Sequence, residues 1–358
     1  MKTEKSYIKI YEQVKSGIIS GAYPYGTKIP SKRNCAVTHG VSIITVEHAY
    51  EMLIQEGYIE PRLRSGYVVS FKESDGFAVG KKAGSGSEVP FAHEEISYAY
   101  PDTQFPYGVI AKAMRRIISD YDEAILMRSP EGGSPELRGE LARYLERNRG
   151  FRVKPEQIII GAGSEYLYGL IVELFGNNKI YGVENPSYKK IEQVYKSRGV
   201  IIEHLALGHD GISSEALINS NADILHVTPY RSYPTGVTAT ASKRHEYLTW
   251  AHSGERYIIE DDFESEITSL RKPEETLFAA NGGEKVIYVN TFSRTISPAL
   301  RVGYMVLPEN LLEKYERKLG FYSCTVPLFE QLLIARLISN GDFERHINRL
   351  RREKRSRN

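Results

Sequence analysis

The chain has 358 residues, of which 41% are hydrophobic and 26% charged, and its formal net charge is +2. The composition is that of a globular protein long enough for two or three domains, and no apolar run reaches the ~20 residues of a membrane-spanning helix. The N-terminus has no apolar signal segment, and Cys35 and Cys324 form neither a metal-binding spacing nor a disulfide framework, so we expect a cytoplasmic protein without a metal site.

Charge is unevenly distributed along the chain. Residues 1–72 contain ten Lys and Arg against six Asp and Glu, whereas the remainder contains 37 basic and 39 acidic residues. A basic N-terminal segment on a near-neutral body indicates a nucleic-acid partner for that segment. A chance distribution is the alternative that charge alone leaves open.

Three helices and a hairpin are predicted in the first 70 residues. Apolar residues at helical spacing predict a helix over 7–19, and Ser31 is a suitable N-cap for a short helix over 31–38. Ser42 caps a third helix that ends near Gln55. Its inward-facing residues are Val46, Ala49, Tyr50 and Leu53. The stretch "YIEPRLRSGYVV" has the pattern of a hairpin with its turn at "LRSG", which completes the order of a winged helix-turn-helix.

A change in composition marks the boundary of this segment. Residues 71–94 lack periodicity and are rich in Gly, Ser and charge, which predicts a linker. From Ile96 onward, short apolar strands alternate with helices such as 164–175 and 187–198. Six strands are predicted, at "QIIIGAG", "IYGVENP", "VIIEHLAL", "DILHVTP", "RYIIEDD" and "KVIYVNTFS". This alternation predicts a mostly parallel α/β sheet, in which ligands bind at the carboxyl ends of the strands.

The N-terminal segment, about residues 7–70, resembles the GntR family of winged-helix regulators. The matching stretches are "YEQVKSGIISGAYPYGTKIPSKR" and "GVSIITVEHAYEMLIQEGYIEPRLRSGYVV". In that family the third helix enters the major groove of double-stranded DNA and the wing reaches the minor groove. The resemblance implies DNA contacts from Lys32, Arg33, Ser42 and Thr45 on the helices, and from Arg64, Ser65 and Gly66 at the wing tip.

Two positions of this predicted DNA surface depart from the family pattern. Ile43 and Glu47 stand where the family has arginine, usually at the first and often at the second. Arginine discriminates a guanine edge by roughly 1–3 kcal/mol, whereas isoleucine can only contact a thymine methyl group, and glutamate repels phosphate or accepts from cytosine. We therefore expect DNA binding that is weaker or of different specificity. The alternative is a winged helix that serves protein contacts alone.

The chain from about Ile96 onward resembles fold-type I pyridoxal-phosphate enzymes of the aminotransferase class. The stretches that carry the likeness are "RSPEGGSPELRGELARYLERNRGF", "IIIGAGSEYL", "VENPSYKKI", "VTPYRSYPTG", "YIIEDDFESEI" and "TFSRTISPALRVGY". A winged helix followed by such a body resembles the MocR group of GntR regulators. The expected organisation is a winged helix-turn-helix domain over 1–70, a linker over 71–94 and an α/β aminotransferase-like effector domain over 95–358.

The resemblance implies a site for pyridoxal 5′-phosphate built from five residues. Ser164 follows a glycine turn that opens a helix, and together with Ser293 and Arg301 it is expected to bind the phosphate. Tyr188 is expected to stack on the ring. Asp261 is expected to pair with the pyridine nitrogen, which makes the ring an electron sink. A surface salt bridge is the alternative role of the arginine.

Three features depart from the enzymes. Arg294 stands at the position of the Schiff-base lysine, and a guanidinium with a pKa above ~12 is a poor nucleophile. Phe263 replaces a tyrosine whose hydroxyl bonds the 3-oxygen of the cofactor in the related regulators. The final stretch "FERHINRLRREKRSRN" is a predicted basic helix, where the family continues into a small domain that supplies an arginine for the substrate carboxylate.

We expect two further charged residues, Arg294 and Asp262, to have roles other than those of the five predicted cofactor contacts. Arg294 is expected to fill the space of the lysine as a fixed cation, which binds a phosphate or carboxylate or pairs with Asp261. Asp262, next to Asp261 in the sequence, is expected to be a helix cap or a solvated acid.

The sequence thus predicts a cytoplasmic DNA-binding regulator of the MocR type that does not catalyse transamination. Any pyridoxal 5′-phosphate is expected to be bound non-covalently, and the effector is not identified. The usual mechanism of the group implies a homodimer. Two alternatives remain: an aminotransferase with a fused DNA-binding head, and a decayed, truncated paralogue without function.

Overall fold

A computed structural model describes residues 6–62, 66–72, 105–268 and 274–357. These residues belong to two compact units, a small N-terminal one and a larger C-terminal one. Apart from residues 71 and 72, the predicted linker over 71–94 lies outside the described residues. Within the described ranges, no helix is long and apolar enough to cross a membrane.

The N-terminal unit consists of three helices and a hairpin: α1 (Ser6–Ile19), α2 (Lys32–His39), α3 (Ile43–Gln55), β1 (Ile59–Arg62) and β2 (Gly66–Val69). Both predicted caps are present, since the Ser31 hydroxyl accepts from the Asn34 N–H and the Ser42 hydroxyl from the Thr45 N–H. The four residues of α3 predicted to face inward are buried. The two strands pair antiparallel, so the winged helix-turn-helix prediction is confirmed.

The C-terminal unit is built on a seven-stranded sheet: β3 (Ile158–Gly161), β4 (Ile180–Asn185), β5 (Ile201–Ala206), β6 (Ile224–Val227), β7 (Tyr257–Asp261), β8 (Val286–Thr291) and β9 (Gly303–Val306). The strand order is β3-β9-β8-β7-β6-β4-β5. In this sheet β9 runs antiparallel to both of its neighbours, and the other pairs are parallel. The mostly parallel α/β prediction is confirmed, and β9 is a strand beyond the six predicted.

Helices cover both faces of the sheet: α4 (Tyr107–Tyr121), α5 (Pro135–Arg149), α6 (Ser164–Phe175), α7 (Lys189–Ser197), α8 (Ser214–Ile218), α9 (Ala241–His252), α10 (Leu277–Ala280), α11 (Glu309–Leu319), α12 (Leu328–Ser339) and α13 (Asp342–Arg357). The core on one face is formed with α6, α7 and α11, and the core on the other with α4, α5, α9, α12 and α13. Side chains of a strand alternate between the faces, and accordingly Ile159 packs on the first face while Ile158 and Ile160 pack on the second.

The predicted basic C-terminal helix is α13, and it packs against the segment that follows β7. Its buried apolar residues are Phe343, Ile347 and Leu350. Arg351 donates to the carbonyl of Glu266 at 2.7 Å, and Lys354 donates to the carbonyl of Ile267 at 2.7 Å. These contacts hold two of its basic side chains beside the carboxyl end of the central strand.

Candidate functional site

A cavity of about 250 Å³ lies where β7 and β8 end and where the loops after β3, β4 and β6 begin. All five residues predicted to bind pyridoxal phosphate line it: Ser164, Tyr188, Asp261, Ser293 and Arg301. Arg294 and Phe263, the two departures from the enzyme pattern, line it as well. The structure thus brings the predicted residues together, and their roles toward a ligand stay predictions.

The first turn of α6 and Arg301 lie next to each other at the cavity. Gly163 is the N-cap of α6 with a φ of 85°, so the N–H groups of the turn after it lack helical partners. The Arg301 guanidinium packs against Gly163. A Cβ added at this glycine would lie 3.3 Å from an Arg301 nitrogen, so a larger residue would crowd the guanidinium. Arg301 itself has a φ of 49°, a conformation that costs a non-glycine residue about 1–3 kcal/mol.

Two charged residues of the lining, Glu165 and Lys190, are absent from the sequence prediction. The Glu165 carboxylate lies 3.0 Å from the Lys190 amine and 3.6 Å from the Arg301 guanidinium. Glu165 directly follows Ser164, and Lys190 follows Tyr188 by two residues. Ser164 and Tyr188 are both predicted members of the site. That adjacency is the only sequence signal for them, because sequence does not show which side chain of a turn faces a cavity.

Asp261 is buried at the end of β7, and its two oxygens differ. The Tyr168 hydroxyl donates to Oδ2, and His226 Nε2 lies 3.7 Å from the same oxygen. Oδ1 has no hydrogen-bond partner among the described residues. Burial, followed by the neighbouring carboxylate, raises the pKa of Tyr168, so its hydroxyl stays a donor. Tyr168 follows Ser164 by four residues on α6, and this helical spacing is the signal that sequence reasoning missed.

The expectation that Asp262 is a helix cap or a solvated acid is wrong. Its side chain is 4% exposed, and Oδ2 accepts from Arg149 Nη2 at 2.5 Å and from the Tyr288 hydroxyl at 2.6 Å. Successive residues at the end of a strand point to opposite faces of the sheet. Asp261 therefore lines the cavity, whereas Asp262 is buried on the other side.

Of the partners expected for Arg294, a carboxylate is the one that the structure shows, and it is that of Glu264. Arg294 Nη2 lies 2.7 Å from Glu264 Oε1, and Arg231 Nε lies 3.6 Å from Oε2 of the same carboxylate. The Arg294 side chain is 56% exposed. A guanidinium that pairs at the open side of the cavity keeps its hydration, which pairing with the buried Asp261 would remove.

Glu184, at the end of β4, is a buried acid beside the site. Its carboxylate accepts from the Thr228 N–H at 3.2 Å and from the Ser232 hydroxyl at 2.5 Å. Burial raises the pKa of Glu184 to about 8. The carboxyl is therefore protonated in the folded chain over a pH range in which it is ionised in the unfolded chain.

We expect Glu184→Gln to weaken the pH dependence of stability between pH 5 and 8. With a folded pKa of about 8 against an ordinary value of 4.5, the wild-type carboxyl takes up a proton on folding. The free energy of unfolding then falls as pH rises through this window, by up to ~1.4 kcal/mol per pH unit for one proton. Urea unfolding at pH 5.5, 6.5 and 7.5 measures the slope. Burial also raises the pKa of Glu260 to about 8, so some slope remains, but equal slopes would contradict the assignment.

In the N-terminal unit, the structure places Lys32, Arg33, Ser42, Thr45 and Gly66 among the described residues, whereas Arg64 and Ser65 lie outside them. The Lys32 amine binds the Glu47 carboxylate and stands 5.6 Å from the centroid of the Tyr67 ring. This hydrogen bond is the main cause that raises the pKa of Lys32 and lowers that of Glu47. Glu47, which is expected to repel phosphate, therefore also neutralises Lys32, a predicted DNA contact.

Comparison with known proteins assigns both units to families. Residues 6–69 match the gntR family of bacterial regulatory proteins, and residues 97–357 match aminotransferase class I and II. The HTH-type transcriptional regulator YdeL of Bacillus subtilis (strain 168) is 32% identical over 97% of this chain and 76% of YdeL. The probable rhizopine catabolism regulatory protein MocR of Rhizobium meliloti is 27% identical over 96% of this chain and 74% of MocR.

The chain is a MocR-type regulator of the GntR family. A solved structure resembles the C-terminal unit of this regulator. The α-aminoadipate aminotransferase LysN of Thermus thermophilus, complexed with N-(5′-phosphopyridoxyl)-L-leucine, has a TM-score of 0.63 and 28% identity. The match covers 70% of this chain and 65% of LysN, so the chain spans about two thirds of the length of that enzyme.

Proposed function

We propose that this regulator binds double-stranded DNA through its N-terminal unit and a pyridoxyl phosphate ligand, without a covalent bond, through its C-terminal unit. The observation that carries the ligand half is Oδ1 of Asp261, a buried carboxylate oxygen without a partner among the described residues, on a residue that lines the cavity. An unpaired buried acceptor costs about 1–3 kcal/mol. The N–H of a protonated pyridine ring is a donor that would satisfy it.

The lining of the cavity offers groups for the phosphate and the ring of pyridoxal phosphate, but Arg294 stands at the position of the lysine that forms the usual covalent bond. Ser164, Ser293 and Arg301 offer donors to the phosphate, and Tyr188 offers an aromatic ring to the pyridine. Pyridoxal phosphate supplies an electron-withdrawing ring when it is bound. The guanidinium of Arg294 offers no neutral amine that could attack the carbonyl group of this ligand. We therefore assign the ligand the role of an effector, and a transamination assay with common amino acids tests the enzyme alternative.

Regulation requires that the ligand favours one of two states of the protein that differ in DNA affinity. GntR regulators bind DNA through the winged helix, and α3 and the wing are the parts of this chain that correspond. The homodimer implied by the MocR group belongs to this proposal. In a dimer, ligand binding would act on the spacing of two DNA-binding units.

Fluorescence anisotropy of DNA tests the whole proposal. The probe is the DNA upstream of the gene for this regulator, compared with a scrambled duplex of equal length. Titrations run with and without pyridoxal 5′-phosphate and at two salt concentrations, because phosphate contacts make the affinity salt-dependent. Specific binding that changes with pyridoxal phosphate supports both halves. Specific binding whose affinity pyridoxal phosphate does not change refutes the ligand half of the proposal. Equally weak binding of both duplexes refutes the DNA half.

We expect Glu47→Gln to strengthen DNA binding by roughly three- to tenfold on all sequences. The substitution releases Lys32 from its ion pair, and one additional phosphate contact steepens the salt dependence by about one unit. Anisotropy against specific and scrambled duplexes measures both effects. In a Lys32→Ala background the gain should largely disappear, since only the loss of a negative charge remains. A full gain in that background would show that the ion pair is irrelevant.

A further inference from the structure

Helix α3 begins with two adjacent isoleucines that lie outside the core of the N-terminal unit. Ile43 is 46% exposed and Ile44 is 68% exposed. The buried residues of α3 belong to the apolar core of this unit, and neither isoleucine is part of that core as far as the structure describes it. The outward face of the helix therefore starts with two apolar side chains in contact with solvent.

The stability of the folded unit does not account for these two isoleucines. Residues 43–46 are four consecutive β-branched residues, and such residues form helices less well than alanine does. Val46 offsets this cost because its side chain is fully buried, whereas Ile43 and Ile44 stay exposed. A role in binding therefore explains the pair better than a role in folding.

The two isoleucines occupy the positions that contact bases in a helix-turn-helix. In that motif the second helix lies in the major groove of DNA, and its N-terminal residues reach the base edges. Helix α3 is this second helix, since α2 precedes it and residues 40–42 form the turn between them. Residues 1–72 contain ten basic against six acidic residues, a charge that complements the phosphates of a duplex.

The beginning of α3 contains none of the side chains that most often recognise a purine. Residues 43–50 include no Arg, Lys, Asn or Gln, the residue types that pair with the edges of guanine and adenine. Glu47 is of a type that accepts from cytosine, but its carboxylate binds the Lys32 amine. The His48 ring packs edge-on against the Tyr7 ring, with their centroids 5.9 Å apart. The feature of the major groove that an apolar side chain recognises is the methyl group of thymine.

We propose that Ile43 and Ile44 determine the sequence preference of this regulator by packing on thymine methyl groups in the major groove. The proposal rests on the DNA half of the proposed function, and it names the base that α3 recognises. Burial of one methyl group contributes about fourfold to affinity, so two such contacts contribute roughly fifteenfold. The preferred DNA therefore has thymine, rather than guanine, at the base pairs that face the start of α3.

Deoxyuridine in place of thymidine tests this directly, because it removes the methyl group and keeps the base pairing and the phosphates. Both duplexes have the sequence upstream of the gene for this regulator, one made with thymidine and one with deoxyuridine. Fluorescence anisotropy with the full chain should show about five- to fifteenfold weaker binding of the deoxyuridine duplex. Replacement of one thymidine at a time should locate the loss at a few positions instead of spreading it over the sequence.

Two variants assign the effect to α3. Ile43→Ala/Ile44→Ala should reduce the ratio of the two affinities to about two or less, and alanine favours the helix more than isoleucine does. The dependence of affinity on salt should stay the same, because neither isoleucine carries a charge for phosphate. Ile19→Ala is the matched control, since Ile19 is 43% exposed but ends α1, outside the helix-turn-helix. It should leave the ratio unchanged.

The outcomes separate this proposal from the proposed function. Equal binding of the thymidine and deoxyuridine duplexes, with weaker binding of a scrambled duplex, overturns the thymine preference and leaves the DNA half of the proposed function intact. A ratio that persists in Ile43→Ala/Ile44→Ala, or that falls equally in Ile19→Ala, overturns the assignment to the two isoleucines. If the upstream and scrambled duplexes bind equally, the DNA half fails and this proposal fails with it.

Discussion

Arg294→Lys is expected to convert non-covalent binding of pyridoxal phosphate into covalent attachment, from no adduct to about one per chain after borohydride reduction. The physical reason is that a lysine amine can lose its proton, whereas a guanidinium cannot. Arg231 lies 3.6 Å from the same Glu264 carboxylate that binds Arg294, and its charge would oppose the rise that Glu264 causes in the pKa of a lysine at this position. Mass spectrometry of the intact chain measures the adduct.

Peptide mapping decides where any adduct forms, because Lys190 also lines the cavity. The Lys190 amine binds the Glu165 carboxylate, and this hydrogen bond is the first cause that raises its pKa. Lys190 is therefore a poor nucleophile near neutral pH. The matched control is Arg294→Met, which removes the guanidinium without adding an amine and should give no adduct. An adduct at Lys190 in the wild-type chain would contradict non-covalent binding.

The sequence predicted the N-terminal unit well because local signals determine it. Ser31 and Ser42 cap their helices as expected, and the apolar spacing of α3 identifies its buried face. Six strands of the sheet are predicted because each is a short apolar run between turns. The strand β9 follows a loop without such a boundary, and its antiparallel direction depends on pairing with strands distant in sequence.

The charged contacts of the site could not be predicted, because they depend on which residues the fold brings together. Asp261 and Asp262 are adjacent in sequence, and only the position of β7 in the sheet decides which one lines the cavity. Arg294 binds Glu264, which lies thirty residues earlier in the chain. Resemblance to the aminotransferases identifies the position of Arg294, but it offers no partner for a residue that the enzymes do not have.

Asp262→Ala is expected to destabilise the C-terminal unit by about 3–5 kcal/mol, the usual cost of leaving a buried charge without its partner. Arg149 is 2% exposed, and its Nε and Nη1 have no hydrogen-bond partner among the described residues. Removal of Asp262 would leave this guanidinium with no carboxylate in contact. Urea unfolding followed by the fluorescence of Trp250, the single tryptophan of the chain, reports on this unit alone.

Removal of Arg149 should lower the free energy of unfolding less than removal of Asp262, because a carboxyl left without its partner can become neutral and a guanidinium cannot. In Arg149→Met, Asp262 keeps the Tyr288 hydroxyl and can take up a proton, whereas a guanidinium cannot release one. The double variant Arg149→Met/Asp262→Ala should therefore be more stable than Asp262→Ala alone. A partly exposed pair on the same helix, Arg143 and Glu140, gives the matched control, and Glu140→Ala should cost less than about 1 kcal/mol. If Asp262→Ala cost no more than Glu140→Ala, Glu260 or Glu266 would have replaced the lost carboxylate, and the buried pair would not be the main determinant of stability at this end of β7.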